Sequence, residues 1–416
     1  MRIADVSAHA LSSPINPPQD RSFHGGTRRL LKRDVVLVVV ETADGAYGVA
    51  PAGATSSSMR EYFEGDSQAT FADVVESDIA DAMEGEIIET PVDAHSVIER
   101  TRLPDRLVTR AISALDVALY DLYGKEVGAP VYELLAAEFE DTLAPTTNLP
   151  LYASAGMYME PEGYASQAEL LEEAGFIGYK YRPGIGPDGD KETIDRVTAT
   201  CNEMEVMIDA HTWWKLEHSY GDDVVFDIVR RAAERGVCWV EEPVAPDNYE
   251  GYRSLSETSA PLAGGESEES PEGLLALGET GAVSYLQGDV RHHRGFTGCS
   301  TVITICRKSN VEFVPHNFGT WLGLLANAHL VAASPEVELV EYPVFEADPL
   351  INVSDDPGMY PFDLAFDILE GRPSIENGML AVPEEPGLGV DIDFDVVEKY
   401  PFIEGPWTTF NYNESV

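Results

Sequence analysis

Eight short segments rich in β-forming residues recur through the second part of the chain. Their start-to-start spacings are 29, 28, 32, 23, 23, 28 and 27 residues, and helix-like stretches fill the intervals. Repeated strand–helix units of this length predict a TIM-type β/α barrel. A doubly wound open sheet is the alternative, but no glycine-rich phosphate loop follows the first strand. The segments are LPLYASA (149–155), GYKYR (178–182), VMIDAH (206–211), CWVEEP (238–243), PLAGGE (261–266), SYLQGD (284–289), EFVPH (312–316) and LVEYP (339–343).

The region before the repeat has a different pattern. Two strand-like segments, ADVSAHAL and DVVLVVVETADGAYGV, lie within residues 1–48, and Asp44-Gly45 predicts a hairpin turn. Residues 12–33 between them are polar and rich in Pro and Gly, which predicts a long loop, of the kind that often serves as a lid. Apolar residues at helical spacing predict a packing helix over residues 107–123, with Gly124 at the position after its end.

The acidic composition limits the classes of function. The chain carries 27 Lys and Arg against 73 Asp and Glu, a net charge of −46, which excludes a basic nucleic-acid surface as a general feature. The acids are interspersed with periodic apolar segments, so the charge indicates a folded halophilic protein rather than a disordered one. No apolar run is long enough to span a membrane and the first residues do not resemble a signal peptide, so we expect a cytoplasmic protein. The four cysteines form no CxxC pair and are interpreted as free thiols: Cys201, Cys238, Cys299 and Cys306.

Ionisable residues end seven of the eight predicted strands, and the active sites of barrels form at these carboxyl ends. Asp209, Glu241 and Glu266 end three successive strands, where neighbouring chains lie about 4.8 Å apart. Three carboxylates at one height would need a cation, and oxygen ligands without cysteine favour Mg²⁺. Solvated surface acids are the alternative in so acidic a chain.

These motifs resemble those of a known family. VMIDAH, WVEEP and AGGES are similar to the three metal-ligand motifs of the mandelate racemase branch of the enolase superfamily. RAISALDVALYDLYGKEVGAPVYELL resembles the segment that joins the family's capping domain to its barrel. QGD at 287–289 with VPH at 314–316 resembles its Asp–His dyad, and LVEYP resembles its last strand, which bears a glutamate.

The resemblance implies a fold and a set of roles. The fold would be α/β, a (β/α)7β-type TIM barrel (residues 136–345) with an α+β capping domain (1–135) completed by a C-terminal segment (346–416). Asp209, Glu241 and Glu266 would bind Mg²⁺, with Glu241 preferred to Glu242 by its distance from Pro243. His316 would be the base, oriented by Asp289, and Glu341 would be a hydrogen-bonding acid near the substrate carboxylate.

Two departures from the family pattern bear on the reaction. The family often has Lys-x-Lys where this chain has Lys180-Tyr181-Arg182, and an arginine is a poor second base. We interpret Lys180 and Arg182 as electrostatic clamps on the substrate or its enediolate. His211, in Asp-Ala-His, resembles sugar-acid dehydratases, in which such a histidine can protonate a departing hydroxide.

Other histidines receive weaker interpretations. His24, on the predicted loop, could contact the distal part of the substrate. Exposed loop positions are favoured for His292 and His293 over substrate contact, and His329 fits a structural role on a helix.

The sequence therefore predicts a Mg²⁺-dependent dehydratase of an acid sugar, acting on a small-molecule carboxylate through an enediolate. A racemase, epimerase or cycloisomerase of the same superfamily is the alternative, and a non-catalytic metal-dependent sugar-acid binding protein is the alternative from another class. We expect no nucleic-acid or membrane partner, and we expect the chain to form a homo-oligomer. Specificity is expected to depend on residues 12–33 and on a loop around residues 51–58.

Overall fold

The computed structural model describes residues 1–52, 70–139, 144–351 and 358–414. The predicted loop around residues 51–58 lies almost wholly outside the described residues. Fourteen strands and fifteen α-helices follow one another in the described chain. The strands are β1 (Ile3–Phe23), β2 (Gly26–Thr42), β3 (Tyr47–Ala52), β4 (Asn148–Met157), β5 (Gly178–Arg182), β6 (Glu205–Asp209), β7 (Trp239–Glu241), β8 (Leu262–Gly264), β9 (Tyr285–Leu286), β10 (Glu312–Phe313), β11 (Val340–Pro343), β12 (Ser374–Glu376), β13 (Met379–Ala381) and β14 (Thr408–Tyr412).

The helices complete the alternation predicted for the barrel and cover its outside. A π-helical turn, Val75–Ile79, joins the first two. They are α1 (Phe71–Val74), α2 (Ala80–Met83), α3 (Asp93–Ile98), α4 (Asp105–Val127), α5 (Val131–Glu138), α6 (Pro161–Glu173), α7 (Pro187–Thr200), α8 (Thr212–Lys215), α9 (Asp222–Arg235), α10 (Tyr249–Ser256), α11 (Pro271–Glu279), α12 (Gly295–Cys306), α13 (Trp321–Ala333), α14 (Leu364–Asp367) and α15 (Asp395–Lys399).

The barrel is confirmed, with all eight predicted strands present. Strands β4 to β10 pair in parallel in chain order, and β11 pairs in parallel with β4 on the other side. Among the described residues, β10 and β11 share no paired residues, so the hydrogen-bonded ring has one gap. The later strands are shorter than predicted. β8, β9 and β10 end two or three residues before Glu266, Asp289 and His316, respectively. These side chains therefore sit on the loops at the carboxyl ends of the strands, where barrel sites form.

The prediction of a long loop over residues 12–33 is wrong. β1 and β2 form one antiparallel hairpin, paired from Ile3 with Thr42 to Phe23 with Gly26. The prolines are accommodated because the register breaks between Pro14 and Gln19, where a missing N–H costs no ladder hydrogen bond. The polar composition that indicated a loop reflects the partial exposure of this hairpin.

The capping helix is longer than predicted. Helix α4 continues through Gly124 and ends before Gly128, whose φ of 74° is the left-handed conformation that commonly terminates helices. Gly124 instead permits a close approach, because a Cβ there would lie 2.7 Å from the carbonyl oxygen of Ala129. The same glycine thus serves packing rather than helix termination.

The C-terminal segment returns to both parts of the molecule. β14 pairs with β2 of the capping sheet, and β13 pairs with the start of β4 in the barrel. This arrangement agrees with a capping domain completed by the C-terminal segment. All four cysteines are free, and no helix of the described chain is long and apolar enough to cross a membrane.

Candidate active site

His316 and Asp289 form a hydrogen-bonded pair at the mouth of the barrel. Nδ1 of His316 lies 2.9 Å from Oδ2 of Asp289, and both residues are buried. Burial alone would lower the pKa of His316, but the charge of Glu266 and the hydrogen bond with Asp289 raise it to about 10. The pair predicted from the sequence is therefore assembled, with Nε2 of His316 directed toward Glu266 at 3.0 Å.

Arg291 completes the surroundings of Asp289, and the sequence analysis missed it. Its Nε lies 3.0 and 3.1 Å from the two oxygens of Asp289, and its Nη2 lies 2.5 Å from Oδ2. Although burial raises the pKa of Asp289, Arg291 and the hydrogen bond from His316 hold it well below its usual range. The signal was an arginine two residues after Asp289, which places it on the same strand-end loop.

His211 lies at the centre of the carboxylates. Its Nδ1 is 2.6 Å from Oδ1 of Asp209, and its Nε2 is 2.7 Å from Glu242 and 3.0 Å from Glu266. Burial would lower its pKa, but the charges of Glu266, Asp209 and Glu242 raise it well above the usual value. The surrounding carboxylates therefore favour the protonated ring of His211, as Glu266 and Asp289 do for His316, and a cation bound to Glu266 would weaken this effect at both histidines.

The three predicted metal ligands do not form a single cluster of their own. Ligand atoms within 4.8 Å of one another occur in two groups, Asp209 with His211 and Glu241, and Glu242 with His211 and Glu266. His211 thus joins the two groups, and Glu266 approaches Glu242 rather than Glu241.

Hydrogen bonds distinguish Glu241, the last residue of strand β7, from Glu242, which follows it. Glu242 accepts from the backbone N–H groups of Gly265 and Ser267 at 3.2 and 3.0 Å, and from the Ser267 hydroxyl at 2.6 Å. Glu241 accepts from Lys180 at 2.8 Å and from the Gln287 amide at 2.6 Å. Burial raises the pKa of Glu241 to about 7 although Lys180 opposes the shift.

Lys180 and Glu341 form an ion pair below the cavity. Nζ of Lys180 lies 2.8 Å from Glu241 and 2.9 Å from Glu341, and all three side chains are fully buried. Glu341 also accepts hydrogen bonds from the Tyr152 hydroxyl at 3.2 Å and the Asn317 N–H at 2.9 Å. Lys180 and Glu341 therefore support the site from beneath.

Arg182 reaches the cavity itself. Its Nε lies 2.5 Å from Oδ2 of Asp209, and its Cζ lies 4.5 Å from the centroid of the Phe318 ring. Burial would lower the pKa of Arg182, but the charge of Asp209 raises it. Arg182 therefore remains protonated, and it cannot accept a proton from a substrate.

One cavity of about 700 Å³ connects the barrel mouth with the capping hairpin and the C-terminal segment. Four of the predicted site residues line it, namely Arg182, His211, Glu266 and His316. Asp209, Glu241, Asp289, Lys180 and Glu341 are not among its lining residues and act on it through their neighbours.

Of the other histidines interpreted from the sequence, His24, His292 and His293 lie in surroundings that differ from those expected, and His329 does not. His24, at the tip of the β1–β2 hairpin, does not line this cavity, and its Nδ1 lies 3.2 Å from the Gly184 carbonyl oxygen. The preference for exposed loop positions at His292 and His293 is wrong, because His292 is half-buried and lines the cavity and His293 is fully buried. His329 is fully buried on helix α13, in agreement with a structural role.

The donor set fits a hard divalent cation. Six carboxylates converge on the barrel mouth, against three permanent cations, and Oε2 of Glu266 is buried without a hydrogen bond of good geometry. Carboxylates left in excess in a buried site are costly unless a cation joins them. The carboxylates are Asp209, Glu241, Glu242, Glu266, Asp289 and Glu341, and the cations are Lys180, Arg182 and Arg291.

Comparison with known proteins places this geometry in a family. The family description "Enolase C-terminal domain-like" matches residues 163–396, and "Mandelate racemase / muconate lactonizing enzyme, N-terminal domain" matches residues 11–136. A D-galactarolactone cycloisomerase from Agrobacterium fabrum is 27% identical, over 96% of this chain and 99% of the relative. A D-xylonate dehydratase from Haloferax volcanii is 25% identical, over 72% of this chain and 71% of the relative.

A solved structure agrees with the sequence relatives. A putative mandelate racemase from Bordetella bronchiseptica RB50 superposes with a TM-score of 0.82 at 26% identity, covering 97% of this chain and 96% of that one. The family matches together extend over more than half of the chain. The chain therefore belongs to the enzymes of the mandelate racemase and muconate lactonizing branch of the enolase superfamily.

Proposed function

We propose that this enzyme is a Mg²⁺-dependent hydro-lyase that removes water from an acid sugar and yields a 2-keto-3-deoxy acid. The observation that carries the proposal is the pair of histidines on one cavity. His316 is oriented through Nδ1 by Asp289, so its Nε2 can act as a base once a cation neutralises Glu266, and the carboxylates around His211 favour its protonated form. One base and one separate acid are the groups that β-elimination of water requires.

The metal would be held by Asp209, Glu241 and Glu266, the positions that the family motifs assign, which offer the oxygen donors that Mg²⁺ prefers. In the structure His211 lies between these carboxylates, so it would have to give up its contacts with Asp209 or Glu266 to the metal. Bound there, it would stabilise the negative charge that develops on the substrate carboxylate when the neighbouring proton leaves. Arg182 lines the cavity and contributes to the same stabilisation, whereas Lys180 acts indirectly by neutralising Glu241 and Glu341 beneath it.

The proton transfers follow from the geometry of the two histidines. Since Nδ1 of His316 donates to Asp289, Nε2 is the ring atom that accepts the C2 proton. The electron pair of that C–H bond passes into the carboxylate to give an enediolate, and it then forms the C2–C3 double bond of an enol as the C3–O bond breaks. His211 donates the proton that turns the departing hydroxide into water, and the enol then tautomerises to the keto acid.

Cycloisomerisation is the second candidate, because a relative that matches 96% of the chain is a D-galactarolactone cycloisomerase. Racemisation is less well supported, since it requires a base on each face of the substrate. Arg182 occupies the position of the second base, and it stays protonated.

The test is turnover of a panel of aldonates, aldarates and aldarolactones with Mg²⁺ in ²H₂O, followed by mass spectrometry. We expect loss of one water molecule and a new keto group, with one solvent deuterium retained at C3, and no such product from His316→Asn. Isomerisation without loss of water would replace the hydro-lyase with the cycloisomerase. Unchanged turnover in His316→Asn would remove His316 from the mechanism.

A further inference from the structure

Positive side chains outnumber negative ones around the cavity, although the chain as a whole is strongly acidic. Six permanent cations and only two carboxylates line it, whereas the whole chain has 27 cations and 73 acids. A cavity that collects cations in so acidic a protein is electrostatically suited to an anion. The cations are Arg28, Arg33, Arg110, Arg182, Lys215 and Arg291, and the carboxylates are Asp34 and Glu266.

Two of these arginines come from the capping hairpin and have no carboxylate partner within ion-pair distance among the described residues. The Nε of Arg33 is buried without a hydrogen bond, and the Nε of Arg28 reaches only the Thr408 hydroxyl at 3.3 Å. Asp34, the acid beside Arg33 in sequence, is instead paired with Lys32 at 3.0 Å. A guanidinium that gives up water without a counter-ion is costly, so an anionic ligand is its natural partner.

Aromatic rings fix the positions of both guanidinium groups. Cζ of Arg28 lies 4.5 Å and Cζ of Arg33 lies 4.7 Å from the centroid of Trp407, so the two share one ring. Arg33 also lies 5.2 Å from the centroid of Phe318. Stacking against rings leaves the in-plane N–H groups available, which is the geometry that binds carboxylate or phosphate through two hydrogen bonds.

Phe318 connects this pair to the chemical end of the cavity. The same ring that contacts Arg33 is contacted by Arg182 at 4.5 Å, and Phe318 lies two residues after His316. Arg28 and Arg33 therefore face the same volume as the base, from the side of the capping hairpin and the C-terminal segment.

Resting on the proposed function, we propose that Arg28 and Arg33 bind a second anionic group of the substrate, at the end distant from the carboxylate beside which His316 acts. The substrate class is then a doubly anionic sugar acid, either a sugar diacid or a sugar acid phosphorylated at its far end. Both present an oxyanion to two guanidinium groups.

The experiment compares three six-carbon acids at fixed salt and Mg²⁺: a hexarate, a 6-phosphohexonate and an unsubstituted hexonate. Arg33→Gln and Arg28→Gln are measured beside the wild type, for kcat, KM and binding by calorimetry. Arg29→Gln is the matched control, because Arg29 lies on the same strand but is exposed and paired with Asp20 at 3.4 Å.

We expect the wild type to prefer one of the two doubly anionic acids, and the preferred one identifies the group as carboxylate or phosphate. Each cavity variant should weaken kcat/KM for that acid roughly 10- to 100-fold, the usual effect of losing hydrogen bonds to a charged group. The hexonate should change little, and Arg29→Gln should change neither. A wild type that prefers the hexonate, or an equal loss for all three acids in both variants, would overturn the proposal.

The binding measurement separates this proposal from the reaction itself. If no acid is turned over, the proposed function fails, while selective loss of hexarate or phosphohexonate binding in Arg33→Gln still supports the subsite. If Arg33→Gln does not fold because its aromatic contacts matter for stability, Arg28→Gln, at a half-buried position, decides the question.

Discussion

Nδ1 of His316 and Oδ2 of Asp289 are 2.9 Å apart, and this contact fixes the tautomer of the histidine. An ionised carboxylate can only accept, so Nδ1 must donate. Nε2 faces Glu266 at 3.0 Å and is able to take a proton from a substrate when a cation neutralises that carboxylate. Arg291 keeps Asp289 ionised. Arg291 and Asp289 together therefore determine that Nε2, and not Nδ1, is the nitrogen of His316 that faces the cavity.

Replacing Asp289 with Asn should therefore impair catalysis more than folding. The amide cannot stabilise an imidazolium, so we expect kcat to fall about 100-fold or more. Asp116→Asn is the matched control, since Asp116 is a buried acid that pairs with His95 at 2.8 Å away from the barrel mouth. Equal loss of kcat in both variants would show that the effect is structural.

Lys180→Met should destabilise the enzyme by about 3–5 kcal/mol, because it leaves the buried Glu241 and Glu341 without their shared cation. Denaturant unfolding at fixed salt measures the change, with the partly exposed Lys191→Met as the control. The double variant Lys180→Met/Glu341→Gln should recover part of the lost free energy of unfolding, since the neutral glutamine removes one uncompensated buried charge. A loss below about 1 kcal/mol for Lys180→Met would contradict this account.

Binding of Mg²⁺ should raise the melting temperature, by mass action on the folded state. Glu241→Gln and Glu266→Gln should abolish the increase, while Glu242→Gln should keep it, because the family motif places the ligand at Glu241 and Glu242 is bound instead to backbone N–H groups and the Ser267 hydroxyl. Scanning calorimetry with and without Mg²⁺ tests this assignment. If Glu242→Gln alone lost the Mg²⁺-induced rise in melting temperature, Glu242 and not Glu241 would be the metal ligand.

His329 should make stability depend on pH below neutrality. Its Nδ1 accepts from the Tyr132 N–H at 3.2 Å and its Nε2 donates to the Leu388 carbonyl at 3.1 Å, and the first of these contacts requires the neutral ring. Burial lowers its pKa to about 4.

In the unfolded chain His329 therefore becomes protonated below about pH 6.5, whereas in the folded chain it becomes protonated only below about pH 4. Stability is lost as the pH falls through this window, by about 1.4 kcal/mol per pH unit from this residue. His329→Gln can make both hydrogen bonds without titrating, and its stability should fall less steeply between pH 6.5 and 4. Parallel curves for the two proteins would exclude a contribution from His329.

The net charge of −46 predicts dependence on salt. Self-repulsion should weaken the fold in dilute buffer and be screened in roughly 1 M salt, where the screening length is about 3 Å. Melting temperatures measured from low to molar KCl should therefore rise. A flat response would contradict the halophilic interpretation.

Much of the architecture could be predicted from the sequence, because strand spacing and β-forming composition are local properties. Eight segments at barrel spacing all became strands, and the ionisable residues at their ends were brought to one face by the parallel arrangement. The hairpin formed by residues 3–42 was missed, since its pairing joins residues far apart in sequence and its polar composition is that of a loop.

The sequence by itself determined the barrel, because strand–helix periodicity places successive strand ends at one edge, and its motifs carried the family resemblance that suggests His316 as the base and Asp289 as its partner. Only the tertiary structure decided which charges meet. It brought His211 between two groups of carboxylates, buried Lys180 between Glu241 and Glu341, and carried Arg28 and Arg33 from the capping hairpin onto the cavity of His316. These contacts join residues from separate strands and domains, and the energy of a charge depends on neighbours that local sequence does not specify.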